Sequence, residues 1–206
     1  MRLRSGLALL PGKRFPVRRS FIVAAGLLVG AGGLRPLLAQ DQALVLFVNV
    51  GRHAPLANLT DAGDDLSPGF SYGGGLALQL SPSVALRASL GYHRGRYRGD
   101  ALAMADSGFA RLVWAGDLQV GWPATSSLVP YVYLGGAVVT TDFDDDALMN
   151  VAGGGGRLGV GLNRVGGLGA WFFEFGTIIH KFSGNGFDRV QLDLEARVGF
   201  ALALGL

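Results

Sequence analysis

A strict alternation of polar and apolar residues near the end of this chain sets the first limit on its fold. In the stretch RVQLDLEARV, residues 189–198, every second residue is polar or charged, and Val, Leu or Ala stands between them. A period of two is the repeat of a β-strand, whereas the apolar residues of an amphipathic helix recur every three to four positions. The stretch therefore predicts a strand with one apolar and one charged face.

The same rhythm continues through most of the chain. We predict eight strands, at about 43–54, 69–81, 84–97, 108–122, 128–141, 150–163, 168–182 and 188–204. Three connections are tight, at 81–83, 123–127 and 163–167, and the other four are 55–68, 98–106, 142–149 and 183–187. Three of those four are longer and polar or acidic. Short turns at one end and long loops at the other predict an all-β, eight-stranded antiparallel up-and-down barrel, with the long loops facing outward if it spans an outer membrane.

The surroundings of the predicted barrel follow from its composition. Only 16% of the residues are charged, against roughly a quarter in soluble domains, and Lys181 is the only lysine after the first 39 residues. Only helices and closed barrels satisfy their backbone hydrogen bonds in lipid, and these strands exceed the roughly 9–11 residues needed to cross a bilayer. We therefore predict a transmembrane barrel, with a soluble lipocalin-like barrel that binds an apolar ligand as an alternative.

Aromatic residues near the predicted strand ends favour the membrane alternative, because interfacial aromatic girdles flank the apolar band of such barrels. The expected girdle residues are Phe70, Tyr72, Tyr92, Tyr97, Phe109, Trp122, Tyr131 and Trp171.

Residues 1–39 predict an export signal that precedes a barrel domain at 40–206. This leader holds seven basic residues and no acidic one, and its apolar stretch at 21–34 suits a signal peptide better than a membrane span. Ala39 is the expected last residue removed. RRSFIV (18–23) resembles a twin-arginine signal, with an ordinary Sec signal or an uncleaved anchor as alternatives. Without the leader, 11 basic and 15 acidic residues remain, so the composition predicts no nucleic-acid partner.

Strand parity predicts a charged lumen. It turns four arginines and four acids inward, namely Arg87, Arg111, Arg157 and Arg197 with Asp117, Glu174, Asp193 and Glu195. An eight-stranded barrel is only wide enough for its own side chains, and buried charges are tolerated when they are paired. We therefore predict an ion-pair network that plugs the lumen and leaves no wide channel. The predicted strand 128–141 alternates too poorly for its faces to be assigned.

Two local motifs point to ligands but have simpler interpretations. Gly154, Gly156 and Gly159 match a dinucleotide-binding spacing, but the period of two continues through Leu158, so no helix follows to hold a pyrophosphate. We interpret these glycines as strand residues that allow close packing. DFDDD (142–146) offers Asp142, Asp144, Asp145 and Asp146, but it lacks the ligand spacing of a calcium loop, and a solvated acidic loop is the preferred interpretation.

The outer ends of the predicted strands carry two further sets of candidate residues. Arg94, Arg96 and Arg98 lie where lipopolysaccharide phosphates would be within reach of guanidinium groups, with a solvated rim as the alternative. His53, His93 and His180 fall near the outer rim and point inward by parity. No catalytic arrangement accompanies them, and we predict no metal, no cofactor and no enzymatic activity. With no cysteine in the chain, disulfides, thiolate metal sites and a lipoprotein anchor are excluded.

Three stretches carry a family resemblance: GFSYGGGLALQLSPSVALRASLGY (69–92), VPYVYLGGA (129–137) and RVGFALAL (197–204). They resemble the small eight-stranded outer-membrane barrels of the outer membrane protein A, X and W kind. In the last strand, Arg197 and Gly199 match the family's assembly signal, whereas Leu202 and Leu204 stand where aromatic residues are usual.

The resemblance implies a monomeric, porin-like integral protein of the cell outer membrane in a Gram-negative type envelope. Its partners would be outer-membrane lipid, lipopolysaccharide and the barrel assembly machinery. We expect a structural or surface-interaction role rather than an open porin. The alternative is an outer-membrane lipid-modifying enzyme that uses a rim histidine.

Overall fold

The computed structural model describes residues 43–56, 65–99, 104–122, 127–144, 150–166, 169–183 and 189–204. The predicted export signal lies outside these residues, so the proposed boundary between signal and barrel stays a prediction.

The described chain forms nine β-strands. They are β1 (Leu44–Pro55), β2 (Asp65–Leu66), β3 (Gly69–Ser81), β4 (Val84–Gly99), β5 (Met104–Gly121), β6 (Leu128–Phe143), β7 (Val151–Gly166), β8 (Gly169–Ser183) and β9 (Val190–Leu204). The eight long strands correspond one to one to the predicted strands, and the largest difference is an earlier start of β5, at Met104. The short strand β2, which pairs with the end of β4, was not predicted.

The long strands close into an antiparallel barrel. Each pairs with the next long strand along the chain, and β1 pairs with β9 from Leu44↔Leu204 to Pro55↔Asp193. Every long strand therefore has a neighbour on both sides, and the barrel presents no open sheet edge, as a strand structure in lipid requires. The prediction of an eight-stranded up-and-down barrel is confirmed.

The two faces of the barrel wall differ in polarity. Large apolar side chains such as Leu134, which is 66% exposed, cover the outside, whereas arginines and acids are buried inside. A soluble barrel would have the opposite arrangement, so the lipocalin-like alternative is wrong. Strand β6, whose faces the sequence did not reveal, turns Tyr131 and Tyr133 inward and Val132 and Leu134 outward. Its alternation is hard to detect because most side chains on both of its faces are apolar.

Aromatic side chains lie on the outside near both ends of the barrel. Phe70, Tyr72 and Tyr92 lie near the long loops, and Trp122 and Trp171 lie near the short turns. On β8, the ten residue-to-residue steps from Trp171 to Lys181 span about 26 Å at a rise of ~3.4 Å per residue and a tilt of about 40°. This height matches the apolar band of an outer-membrane barrel, roughly 25 Å.

Two residues of the expected girdle lie elsewhere. Phe109 and Tyr131 are 1% and 2% exposed and fill the lumen, because parity turns their side chains inward even though they lie near strand ends. The side chain of Tyr97 lies outside the described part of the structure.

Within the described residues, no helix is long and apolar enough to span a membrane.

The lumen is layered along the barrel axis. A buried apolar cluster that includes Phe109, Phe143 and Phe182 lies toward the long loops. A smaller cluster contains Phe47 and Phe172 near the short turns. The charged side chains lie between these two apolar layers and are buried.

Candidate functional site: the ion-paired lumen

Strands β4, β5, β7, β8 and β9 supply the charged side chains of the lumen. The structure places all eight predicted lumen residues inside the barrel, and each is at most 6% exposed. Their positions follow from strand parity, since side chains two residues apart along a strand lie on the same face. Four guanidinium groups and four carboxylates share this interior, so their formal charges cancel.

Glu174 on β8 is the acid that connects the charged side chains on the short-turn side of the network. One of its carboxylate oxygens accepts a hydrogen bond from Arg87 at 2.5 Å and another from the hydroxyl of Tyr131 at 2.8 Å. Its second oxygen pairs with Arg197 on the neighbouring strand β9. These contacts stabilise the buried carboxylate of Glu174 and offset the cost of removing its charge from water.

Arg157 on β7 organises the middle of the lumen. Its guanidinium donates to Asp117 at 2.9 Å and to Glu195 at 3.4 Å, and also to the hydroxyl of Ser89 at 3.3 Å. Glu195 in turn lies 3.9 Å from the Nε atom of Arg197. This last contact joins the two halves into one network of six residues: Arg87, Glu174, Arg197, Glu195, Arg157 and Asp117.

Arg111 and Asp193 form a second, separate ion pair nearer the long loops. Arg111 is fully buried and also donates through Nε to the hydroxyl of Thr141 at 3.1 Å. The same Asp193 oxygen lies 3.1 Å from Nε2 of His180. This pair lies between the six-residue network and the apolar layer that contains Phe109.

Two tyrosines of β6 belong to the site although the sequence reasoning did not assign them to it. The ring of Tyr133 contacts two guanidinium groups, with its centroid 5.4 Å from Arg87 and 5.0 Å from Arg157. Cations over an aromatic face are attracted by the ring quadrupole. The motif YVYL at 131–134 could have indicated their inward direction, because tyrosines that face the lumen put the valine and the leucine of this motif on the lipid side.

Glycines on β7 and β8 make room for these rings. A side chain at Gly159 or Gly176 would meet the ring of Tyr133, and one at Gly161 would meet the ring of Tyr131. Gly159 closes the glycine motif noted in the sequence, and Gly154 and Gly156 lie on the outer face of the same strand. The motif is thus part of a β-strand, and no helix follows it to bind a pyrophosphate.

The three histidines are all buried near the long-loop end of the lumen. Nε2 of His93 lies 3.2 Å from a carboxylate oxygen of Glu195, and the ring of His53 stacks on His93 with 4.7 Å between centroids. Within the described residues, no group of three or more His, Asp or Glu side chains is placed to hold a metal ion. The imidazoles are at most 2% exposed and present no open surface to a substrate.

Little free space remains beside this network. A cavity of about 10 Å³ lies among Asn49, Ser71, His93, Arg157 and Glu195. That volume holds about one water molecule.

The rim residues lie on the outside of the barrel. Arg94 and Arg96 on β4 are exposed, and Arg94 contacts the exposed Asp144 at 3.6 Å. Asp142 is also exposed, on β6. The side chain of Arg98 and residues Asp145 and Asp146 lie outside the described part of the structure.

Comparison with solved structures identifies the same fold in outer-membrane proteins. The outer membrane protein OprG from Pseudomonas aeruginosa superposes with a TM-score of 0.57 and 13% identity over 81% of this chain and 97% of its own. Neisserial surface protein A gives a TM-score of 0.52 and 12% identity over 77% and 96% of the two chains. The outer membrane protein AlkL, solved in lipid bilayers, gives 0.51 and 18% over 81% and 92%. No protein-family model and no curated protein sequence matches the chain.

These similarities confirm the predicted resemblance at the level of the fold. The closed barrel, its apolar outer face and its aromatic girdles are those of a protein that lies in a bilayer, and the similar structures are outer-membrane proteins. The fold and the apolar outer face therefore agree with the predicted localisation, and this chain has the fold of the small eight-stranded β-barrels of outer membranes.

Proposed function

We propose that this protein is a closed structural barrel of the outer membrane, whose lumen is occluded by its own ion pairs and which does not act as a porin. The observation that carries the proposal is the network of six charged residues that connects β4, β5, β7, β8 and β9 across the lumen. A water-filled path would require these ion pairs to separate. Breaking a buried ion pair is costly, since removal of one partner typically destabilises a protein by about 3–5 kcal/mol.

The apolar layers at both ends of the lumen support the same proposal. They keep water from the charged layer and so lower the local dielectric constant. A lower dielectric constant strengthens the attraction between opposite charges. The barrel then serves as a rigid anchor that presents four loops at one membrane surface. Interaction with outer-membrane lipid, assembly by the barrel machinery and a monomeric state are predictions that extend this proposal.

The structure gives less support to a lipid-modifying enzyme. A catalytic histidine has to reach a substrate, whereas His53, His93 and His180 are buried, and two of them contact carboxylates inside the lumen. The lumen otherwise holds arginines and acids in mutual contact. The absence of enzymatic activity nevertheless stays a prediction.

The test is the conductance of the purified, folded protein in planar lipid bilayers. We expect no stable channel openings above the background of the empty membrane. A triple variant, R87A/E174A/R197A, provides the matched control, because it removes three large side chains at one level of the lumen. Where heat-modifiable gel migration shows that this variant folds, it should conduct. A large, stable conductance of the unmodified protein would refute the closed-barrel proposal.

A further inference from the structure

Three outward-facing arginines lie together near the long-loop end of the barrel. Arg52 on β1, Phe70 on β3 and Arg94 on β4 form one transverse row, because Phe70 is the register partner of both arginines. Adjacent strands are about 4.8 Å apart, so the two arginine backbones flank Phe70 at roughly 10 Å from each other. Arg96 follows two residues after Arg94 on the same face of β4. We call Arg52, Phe70, Arg94 and Arg96 the rim patch.

The rim patch is open to its surroundings. Phe70 is 71% exposed, and the side chain of Arg94 is 66% exposed. The guanidinium of Arg52 lies 5.2 Å from the centre of the Phe70 ring, so it is held over the aromatic face rather than directed into the lumen. The guanidinium groups of the rim patch are therefore accessible from outside the barrel.

The height of the rim patch identifies the part of the membrane it meets. The next outward row toward the middle of the barrel contains Tyr72 and Tyr92, whose rings lie 5.1 Å apart. Tyrosines at this position mark the boundary between the hydrocarbon and the headgroups. A row of arginines one step further from the hydrocarbon consequently lies at the level of lipid headgroups, where phosphates are located.

The charge of the rim patch limits which lipid headgroups can match it. Among the side chains described here, three guanidinium groups form the patch, and one acid, Asp144, contacts it through Arg94. The three arginines contribute +3 and Asp144 contributes −1, so the patch and its contacting acid carry a net formal charge of +2. The exposed Asp142 lies in the same row, two strands away from Arg94. A phospholipid phosphodiester supplies one negative charge, whereas a glycolipid headgroup with two phosphate groups supplies at least two.

We propose that the rim patch binds the phosphates of a bisphosphorylated glycolipid headgroup in the outer leaflet, with Arg52 and Arg94 as the principal contacts. This inference rests on the proposed placement of the barrel in an outer membrane. It adds Arg52 on β1 to the predicted lipopolysaccharide contacts Arg94 and Arg96, while the third predicted contact, Arg98, stays a prediction. Arg52 lies 42 positions before Arg94 in the sequence, and only the barrel register brings the two together. Arginine suits this role because its planar guanidinium can donate two parallel hydrogen bonds to one phosphate.

The test compares two double variants of equal charge in the full, folded protein. R52S/R94S removes two arginines of the rim patch. R164S/K181S removes two outward cations elsewhere, one near the short turns on β7 and one near the long-loop end of β8, two strands away from β1. Binding of fluorescent bisphosphorylated lipid A is measured in maltoside micelles over a salt series, with dephosphorylated lipid A and phosphatidylglycerol as the other probes.

We expect the Kd for lipid A to rise about tenfold or more in R52S/R94S at low salt and to change less than twofold in R164S/K181S, because hydrogen bonds between ions are about twice as strong as neutral ones. The difference should shrink as salt screens the exposed charges. Equal affinities of the two variants would overturn the proposal. Equally tight binding of dephosphorylated lipid A, or equal competition by phosphatidylglycerol, would also overturn it. The conductance test does not involve these positions, so the proposal for the rim patch can fail while the closed-barrel proposal stands.

Discussion

Removal of Arg157 offers the sharpest test of the lumen network. Its guanidinium bridges Asp117 at 2.9 Å and Glu195 at 3.4 Å, and all three side chains are at most 3% exposed. In Arg157→Ala, Glu195 keeps contacts to His93 and Arg197. Asp117 instead loses the one described hydrogen-bond partner of its carboxylate and becomes a buried, unpaired charge.

The expected cost follows from that unpaired acid. Breaking a buried ion pair by removing one partner destabilises a protein by about 3–5 kcal/mol. With a urea dependence of roughly 1–3 kcal/mol per M, the unfolding midpoint in lipid vesicles should fall by about 1 M or more. Arg164→Ala provides the matched control, because this arginine lies on the same strand but is exposed, and exposed charges contribute little, typically under about 1 kcal/mol.

A double variant separates loss of charge pairing from loss of packing. In R157M/D117N, a side chain of similar length fills the lumen and no charge is left unpaired at position 117, so much of the stability should return. Unfolding is followed by tryptophan fluorescence together with heat-modifiable gel migration. An R157A midpoint equal to that of R164A would show that the network does not stabilise the barrel, and our account of the lumen would fail.

Three further outcomes are expected. Leu134→Arg on the lipid face should cost about 2–4 kcal/mol in vesicle folding titrations, whereas Asp142→Arg near the end of the same strand should cost at most about 1 kcal/mol; equal costs would contradict the assigned membrane depth. Arg111→Ala should destabilise the barrel or raise ion leak through it by leaving Asp193 without its arginine, and an unchanged midpoint with no leak would argue against this. The penalty of Gly161→Ala should be smaller in a Tyr131→Ala background, with a coupling of about 0.5–3 kcal/mol in a double-mutant cycle; additive penalties would show that ring and glycine do not pack together.

Strand parity explains why so much of the barrel could be predicted from the sequence. A lipid-facing residue must be apolar and its neighbours face the lumen, so each Arg or Glu in a strand such as β9 fixes the orientation of the whole strand. The inward direction of Arg87, Glu174 and Glu195 followed from this rule alone. The rule could not assign the faces of β6, because its lumen side carries Tyr131 and Tyr133, and an apolar or aromatic side chain is suited to either face.

The pairing of the charges could not be predicted in the same way. Parity says which side chains enter the lumen, but not which of them meet, because that depends on the stagger of the strands around the closed barrel. Glu195 lies beside Arg157 and near Arg197, while Asp193, two residues earlier, reaches Arg111. The rim patch could not be predicted from the sequence for a related reason, because Arg52 and Arg94 become neighbours only through the register of β1, β3 and β4.

The ion pairs that cross the lumen have a consequence for how such a barrel can change over evolutionary time. Arg87 and Glu174 are 87 positions apart in the chain, and Arg157 pairs with acids on two strands that are not its neighbours. A hairpin exchanged with another barrel would bring an unbalanced charge into the interior, even if its lipid-facing residues were acceptable. Substitutions in the lumen are therefore expected to arise in compensating sets on distant strands, while the outer wall is free to vary residue by residue among apolar side chains.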